Sequence, residues 1–176
     1  MDKTVYLLRH CAAAGQEPSA ELTEEGKEQA FQLVHFFNDR GIKCILSSPY
    51  TRAVQSVEPL ANHLGLPLQT DERLAEQWLK SGNMKEWFVR IKESIQNREL
   101  EMTGGKSIDD LTAGAMEVFK EAPNGTVLCI HGNIMGLMLK QIDGVAGFKE
   151  WIGLSHPDVY EVNVKDGNYH VKRIWE

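Results

Sequence analysis

The sequence has few cysteines, and none of them is spaced to pair with another. Cysteine occupies three of its 176 positions, 11, 44 and 129, and no C-x-x-C pair occurs. An odd number of cysteines at wide spacing fits neither a disulfide framework nor a zinc site. We therefore expect three reduced thiols, with Cys44 and Cys129 acting as small buried apolar residues.

Long apolar runs and an excess of positive charge are also missing. No stretch approaches the roughly 20 apolar residues of a membrane helix, and the N-terminus lacks the pattern of a signal peptide. The formal net charge is −6 at pH 7, whereas proteins that bind nucleic acid usually carry clustered Lys and Arg. We expect a cytoplasmic protein without a nucleic-acid or membrane partner. Its oligomeric state is left open.

Three familiar kinds of site are missing as well. The six histidines form no H-x-x-x-H or H-x-H pair, so the sequence predicts no metal and no cofactor. The segment GGKS at 104–107 resembles the tail of a nucleotide-binding P-loop, but Leu100 stands where that motif needs glycine. A cysteine phosphatase would need arginine six residues after its cysteine, and those places hold Glu17, Tyr50 and Met135.

What the sequence does have is an alternation of short apolar runs and longer amphipathic ones. The short runs predict buried strands at 4–8, 42–46 and 126–130. Helical spacing of apolar residues predicts helices at 24–39, 50–65, 107–122 and 133–142. Their end signals are Thr23 and Ser107 as N-caps, Gly65 as a C-terminal stop and Pro59 as a kink.

The last part of the chain, 158–175, predicts a β-hairpin with Asp166 and Gly167 in its turn. Strands alternating with helices favour a three-layer α/β/α domain with a mostly parallel central sheet. No linker, repeat or low-complexity segment divides the chain. We therefore expect one domain over 1–176, with a small cap segment at about 77–106.

Polar residues follow three of the predicted strands. Arg9 and His10 come after the first strand, Arg52 opens the helix after the second, and His131 and Asn133 follow the third. Ligands of open α/β sheets bind beyond the carboxyl ends of the strands. Each residue alone would be an ordinary structural feature, but the predicted sheet brings two arginines and two histidines to one edge.

This set of side chains suits a phosphate group. Arginine forks match phosphate oxygens and stay charged, and a neutral histidine offers a nitrogen lone pair to the phosphorus atom. An alkoxide leaving group would need a proton from a carboxylic acid nearby. Among Asp71, Glu72 and Glu76, the last has the most apolar neighbours, which favours a protonated carboxyl.

These motifs resemble the histidine phosphatase superfamily, the phosphoglycerate-mutase-like proteins. The resemblance covers most of the chain: LLRH at 7–10, LTEEGKEQA at 22–30, ILSSPYTRAVQSVEPLA at 45–61, RLAE at 73–76 and a strand ending in HG at 131–132. It implies a phosphoglycerate-mutase-like fold and a phosphorylated small molecule as substrate.

The resemblance also implies a role for each matching residue. His10 is the expected nucleophile, which becomes phosphohistidine, and Glu76 the expected proton donor. Arg9, Arg52 and His131 would complete the phosphate pocket. Two further residues are expected to contact phosphate or substrate, Gln16 and Asn133.

The chain departs from the family pattern at several places. Cys11 replaces the usual glycine, Ala12 and Ala13 replace Glu-Thr, and Lys106 reverses a charge. We expect a thiol at position 11 to crowd the loop or to make the protein sensitive to peroxide.

The length of the cap segment helps to choose an activity within the family. Only about 30 residues separate Glu76 from Ser107, which is short for a mutase. The resemblance therefore favours a metal-independent phosphomonoesterase. A phosphoglycerate mutase and a non-catalytic sensor of phosphorylated metabolites are the alternatives.

Overall fold

The computed structural model of the protein describes residues 2–75, 108–143 and 153–175. Within these ranges the chain forms six strands: β1 (Lys3–Arg9), β2 (Cys44–Ser47), β3 (Leu68–Thr70), β4 (Thr126–Ile130), β5 (Asp158–Lys165) and β6 (Asn168–Arg173). It also forms a short 3-10 helix at Glu72–Leu74 and four α-helices: α1 (Glu24–Phe37), α2 (Thr51–Leu64), α3 (Ile108–Glu121) and α4 (Gly132–Asp143).

The six strands form a single sheet in the order β3-β2-β4-β1-β5-β6. The first four strands of this order pair in parallel, whereas β5 runs antiparallel to both β1 and β6. The predicted mostly parallel sheet is therefore confirmed. The hairpin is confirmed too, and Asp166 and Gly167 in its turn have positive φ angles of 51° and 79°, as a two-residue hairpin turn requires.

Alternate residues of β1 point into two separate apolar layers. Val5 and Leu7 pack in a cluster with α3 and α4, while Tyr6 and Leu8 pack in a cluster with α1 and α2. Side chains of a strand alternate between the two faces of a sheet, so a strand buried on both faces is apolar throughout. This arrangement confirms the three-layer α/β/α architecture.

The helices begin and end close to their predicted limits. The hydroxyl of Thr23 accepts a hydrogen bond of 3.0 Å from the Gly26 amide and so caps α1. Gly65 ends α2 with a left-handed φ of 66°, a conformation that glycine adopts without steric cost. α2 continues through Pro59, the residue at which the sequence predicts a kink.

Two of the predictions fall on parts of the chain that the structure does not describe. The cap segment at about 77–106 and the N-cap Ser107 both lie outside the described residues. Across the ranges that are described, no helix has the length and apolar character needed to cross a membrane.

Candidate active site

The register of the sheet brings four chain segments to one edge. Arg9, the last residue of β1, pairs with Ile130 at the end of β4 and with Asp158 at the start of β5. At the end of β2, Ser47 pairs with Cys129 of β4. The residues that follow β1, β2 and β4 therefore meet the residues that precede the antiparallel strand β5.

His10 lies at the centre of this edge and is 7% exposed. Its Nδ1 is 2.7 Å from the carbonyl oxygen of Cys11. Since a carbonyl oxygen only accepts hydrogen bonds, Nδ1 carries the proton and donates. Nε2 therefore holds a lone pair, and it accepts a hydrogen bond of 3.3 Å from Nε of Arg52.

The surroundings of His10 keep its imidazole neutral. Burial lowers the pKa of His10 to about 3, and the positive charges of Arg52 and Arg9 act in the same direction. The hydrogen bond to the Cys11 carbonyl raises this pKa, but by less than burial lowers it. At neutral pH the Nε2 lone pair is thus available to an electrophile.

Arg52, the second residue of α2, is fixed in the pocket although it carries a charge. It is 1% exposed, and its Nη1 donates a hydrogen bond of 2.9 Å to the carbonyl oxygen of Glu17. The Tyr50 ring lies 5.1 Å from the guanidinium carbon, within the range of a cation–π contact. These contacts hold the guanidinium beside His10.

The Arg9 side chain reaches the pocket by passing directly beside Gly132. Its Nη1 donates a hydrogen bond of 3.0 Å to the carbonyl oxygen of Leu154. A Cβ atom at Gly132 would lie 2.8 Å from both Cζ and Nε of Arg9. Only glycine at the start of α4 leaves room for the guanidinium in this position.

His131 completes the cluster from the end of β4. It is fully buried, its Nε2 lies 2.8 Å from the hydroxyl oxygen of Ser48, and its ring meets the His10 ring edge-on at a centroid distance of 5.3 Å. Burial above all, with the positive charges of Arg52 and Arg9 acting in the same direction, lowers the pKa of His131 well below its usual value. The structure thus brings together the four predicted residues Arg9, His10, Arg52 and His131.

The other three predicted site residues have different outcomes. Asn133 is 8% exposed in the first turn of α4, directly after the pocket. Gln16 is exposed, and within the described ranges no hydrogen bond joins it to the four clustered residues. Glu76 lies outside the described residues. Just before it in the chain, Arg73 forms ion pairs with Asp71 and with two residues of α3, Glu117 and Glu121. These ion pairs join the short 3-10 helix to α3.

The structure corrects the expectation for Cys11. Its side chain is fully buried in the apolar cluster under α1 and α2, and its amide donates a hydrogen bond of 2.8 Å to the Ser56 hydroxyl. Burial raises the pKa of the Cys11 thiol to about 12. A buried, protonated thiol is a poor target for peroxide. Cys11 packs in the core rather than crowding the pocket.

Cys129 is buried as predicted, whereas Cys44 is only partly buried.

One residue of the pocket was missed by the sequence analysis. The His156 ring is stacked on the His10 ring at a centroid distance of 5.5 Å and an angle of 17°. The rule for ligand sites covers only the carboxyl ends of parallel strands, but an antiparallel strand brings its amino end to the same edge. The predicted hairpin was the available signal, because its pairing with β1 would have placed the residues before β5 in the pocket. His10, His131 and His156 are called the pocket histidines below.

The cluster offers a tight site for an anion. Two fixed guanidiniums supply positive charge, and neutral imidazoles supply hydrogen bonds and a lone pair. Arginine forks match a tetrahedral oxyanion, and a low-polarity site strengthens each contact. Among the residues that the structure describes, no three His, Cys, Asp or Glu side chains are grouped to hold a metal ion.

The chain resembles known proteins in sequence and in fold. A family model described as the histidine phosphatase superfamily (branch 1) matches residues 5–176. A probable phosphoglycerate mutase GpmB of Escherichia coli is 26% identical over 169 residues, covering 83% of this chain and 77% of the relative. The corresponding protein of Erwinia tasmaniensis is 24% identical over 164 residues, with coverages of 80% and 75%.

Solved structures share the fold at lower identity. The phosphoserine phosphatase of Entamoeba histolytica, in complex with 3-phosphoglyceric acid, superposes with a TM-score of 0.79 at 14% identity, covering 99% of this chain and 98% of the other. A mycobacterial glucosyl-3-phosphoglycerate phosphatase gives a TM-score of 0.75 at 19% identity, with coverages of 97% and 98%. At such identities the similarity establishes the fold alone.

Proposed function

This chain belongs to branch 1 of the histidine phosphatase superfamily, and we propose that it hydrolyses phosphomonoesters of small molecules through a phosphohistidine formed on His10. One observation carries the proposal. Nδ1 of His10 is committed to the Cys11 carbonyl, so the lone pair of Nε2 faces the Arg52 guanidinium in a buried pocket. A phosphoryl group bound to that guanidinium lies within reach of the lone pair.

In the first step, Nε2 of His10 attacks phosphorus and the bond from phosphorus to the ester oxygen breaks. The departing alkoxide takes a proton, which we assign to the carboxyl of Glu76 on the basis of the family resemblance. Arg9, Arg52 and His131 stabilise the charge on the equatorial oxygens. The imidazole gains positive charge as the P–N bond forms, and the Cys11 carbonyl stabilises the Nδ1 proton.

In the second step, water attacks phosphorus and the P–N bond breaks. The Glu76 carboxylate accepts the proton of the water, inorganic phosphate leaves, and His10 returns to its neutral form. The two guanidiniums offset the phosphate charge in both steps, so the proposed reaction needs no metal and no cofactor. Three free thiols fit a reducing compartment, and we place the reaction in the cytoplasm.

Mutase activity is the second candidate, favoured by the name of the GpmB relatives. A mutase passes the phosphoryl group from the histidine back to the substrate, whereas a phosphatase passes it to water. Supplied with a phosphoglycerate, the purified protein should release inorganic phosphate faster than it forms the isomer. Faster isomerisation would decide for the mutase.

The direct test of the proposal is turnover of an aryl phosphate in excess chelator. The wild type should hydrolyse it, His10→Gln should be inactive, and His170→Gln on exposed β6 is the matched control that should retain full activity. Phosphate binding without turnover would identify a sensor instead. Activity that disappears with chelation would contradict a metal-independent mechanism.

A further inference from the structure

His156 lies at the mouth of the pocket, just before β5. One face of its ring is stacked on His10, and the residue as a whole keeps an exposed surface. Neither ring nitrogen makes a hydrogen bond to any residue in the described part of the chain. The imidazole is therefore held against the pocket with its donor and acceptor atoms available.

The loop that carries His156 is held by a buried ion pair. Asp158 is fully buried, and its carboxylate binds the Arg173 guanidinium at 2.9 Å. The same carboxylate accepts a hydrogen bond of 3.0 Å from the Ser155 amide, and the Ser155 hydroxyl donates to the Pro157 carbonyl at 2.6 Å. These contacts fix the residues on both sides of His156. The position of the ring is thus set before any ligand arrives.

Among the residues that the structure describes, the charges around His156 are almost all positive. Burial lowers the pKa of His156 to about 4, and the charges of Arg9 in β1 and Arg52 in α2 act in the same direction. Its other titratable neighbours are His10, which is neutral, and His131 beyond it. The one acidic group next to it in the chain, Asp158, is occupied by Arg173.

We propose that His156 is a further side chain of the phosphate site, which takes up a proton when the phosphoryl group binds and then donates a charged hydrogen bond to it. The proposal rests on the function proposed above and adds to it. Burial disfavours the imidazolium most, and the charges of Arg9 and Arg52 add to it. A bound phosphate dianion offsets those two charges, and its own negative charge favours the imidazolium. The group that is neutral in the empty pocket therefore becomes charged in the occupied one.

Inorganic phosphate is the probe, because its binding requires no turnover. At pH 6, His156→Asn should weaken phosphate affinity about tenfold, the effect of losing one charged hydrogen bond. His170→Asn, on exposed β6, should leave the affinity unchanged. Above pH 8.5 the His156→Asn effect should shrink to less than twofold, since the imidazole is no longer protonated in the complex.

Proton uptake gives a second and independent measurement. Calorimetry of phosphate binding at pH 6, in two buffers with different ionisation enthalpies, should show more protons bound by the wild type than by His156→Asn. Protonation of phosphate itself is common to both proteins and cancels in the difference. Equal uptake in the two proteins would overturn the proposal.

Two comparisons separate this role from packing and from leaving-group protonation. His156→Phe keeps a ring beside His10, so wild-type phosphate affinity in that variant would reduce His156 to a packing residue and overturn the proposal.

With substrates, the kcat/KM of His156→Asn should fall by the same factor for aryl and alkyl phosphates. A loss confined to alkyl phosphates would make His156 a proton donor instead. If the wild type binds phosphate but hydrolyses nothing, the proposed function fails while the binding test still decides the role of His156.

Discussion

Replacing Gly132 by alanine is expected to weaken phosphate binding without unfolding the protein. The added methyl carbon would lie 2.8 Å from Cζ and Nε of Arg9, which is too close for either atom to keep its place. The atoms it meets belong to a flexible side chain rather than to backbone. Arg9 therefore swings away, and its hydrogen bond to the Leu154 carbonyl is lost with its place in the pocket.

The size of the effect follows from the contacts that Arg9 would make. A hydrogen bond between charged groups is worth about 1.5–3 kcal/mol, and 1.4 kcal/mol corresponds to a factor of ten. We expect phosphate affinity and kcat/KM to fall by about 10- to 100-fold. Alanine favours helix over glycine by up to about 1 kcal/mol, which offsets part of the steric cost, so the Tm should stay within a few degrees.

Gly114→Ala is the matched control for this experiment. Gly114 lies within α3, and a Cβ there would be 3.6 Å from Cβ of Arg73, an ordinary contact. This variant should raise the Tm by roughly 2–4 °C and leave phosphate affinity unchanged. Calorimetric titration with inorganic phosphate measures the affinity, and thermal unfolding measures the Tm. Wild-type phosphate affinity in Gly132→Ala would refute our placement of Arg9.

Acid, a thiol reagent and the loss of the Lys3 ammonium probe other parts of the fold. Because the folded-state pKa of each pocket histidine lies below the value near 6.5 of the unfolded chain, unfolding takes up protons below that pH. The free energy of unfolding should therefore fall as the pH drops from 6.5 toward 4, and a urea midpoint that stays constant from pH 7 to 5 would contradict this. A thiol reagent should label the partly buried Cys44 first and reach Cys11 only on unfolding, as peptide mass spectrometry would show; equal labelling rates would rule out the packing described. Lys3→Met should lower the free energy of unfolding by about 1–2 kcal/mol in urea titrations, because the Lys3 ammonium donates to three carbonyls at the end of α3 at 2.7, 3.0 and 2.7 Å. An unchanged urea midpoint would show that this cap contributes nothing.

Much of the fold could be predicted because its signals are local. Runs of apolar residues mark β1, β2 and β4, and the Thr23 cap and the Gly65 stop mark helix ends close to where the structure places them. The two-residue turn at 166–167 identifies the hairpin. Each of these signals depends on residues within a few positions of one another.

The position of the hairpin in the sheet is not a local property. Pairing of β5 with β1 joins residues about 150 positions apart, and the sequence identifies the hairpin but not the strand with which it pairs. His156 was not predicted for this reason, because it is this pairing that places its ring against His10. The four predicted residues that the structure brings together lie at or after the ends of parallel strands, where the rule for ligand sites applies directly.

Cys11 and Gln16, whose positions differ from those expected, show a second limit of prediction from the sequence. A family position identifies a neighbourhood, but the direction of a side chain depends on the loop between β1 and α1. In that loop the thiol of Cys11 points into the core, while Gln16 is exposed to solvent. The neighbouring residue, Glu17, reaches the pocket through its carbonyl, which binds Arg52. Every residue type has a backbone carbonyl, so a contact of this kind cannot be predicted from which residue occupies the position.

The central claim is that Nε2 of His10 is the atom that attacks phosphorus. Protein quenched during turnover of a phosphomonoester should carry one acid-labile, base-stable phosphate, located on Nε2 of His10 by mass spectrometry and phosphorus NMR. His10→Gln should carry none. Phosphate on Nδ1, or on any other residue, would contradict the tautomer set by the Cys11 carbonyl and with it the proposed mechanism.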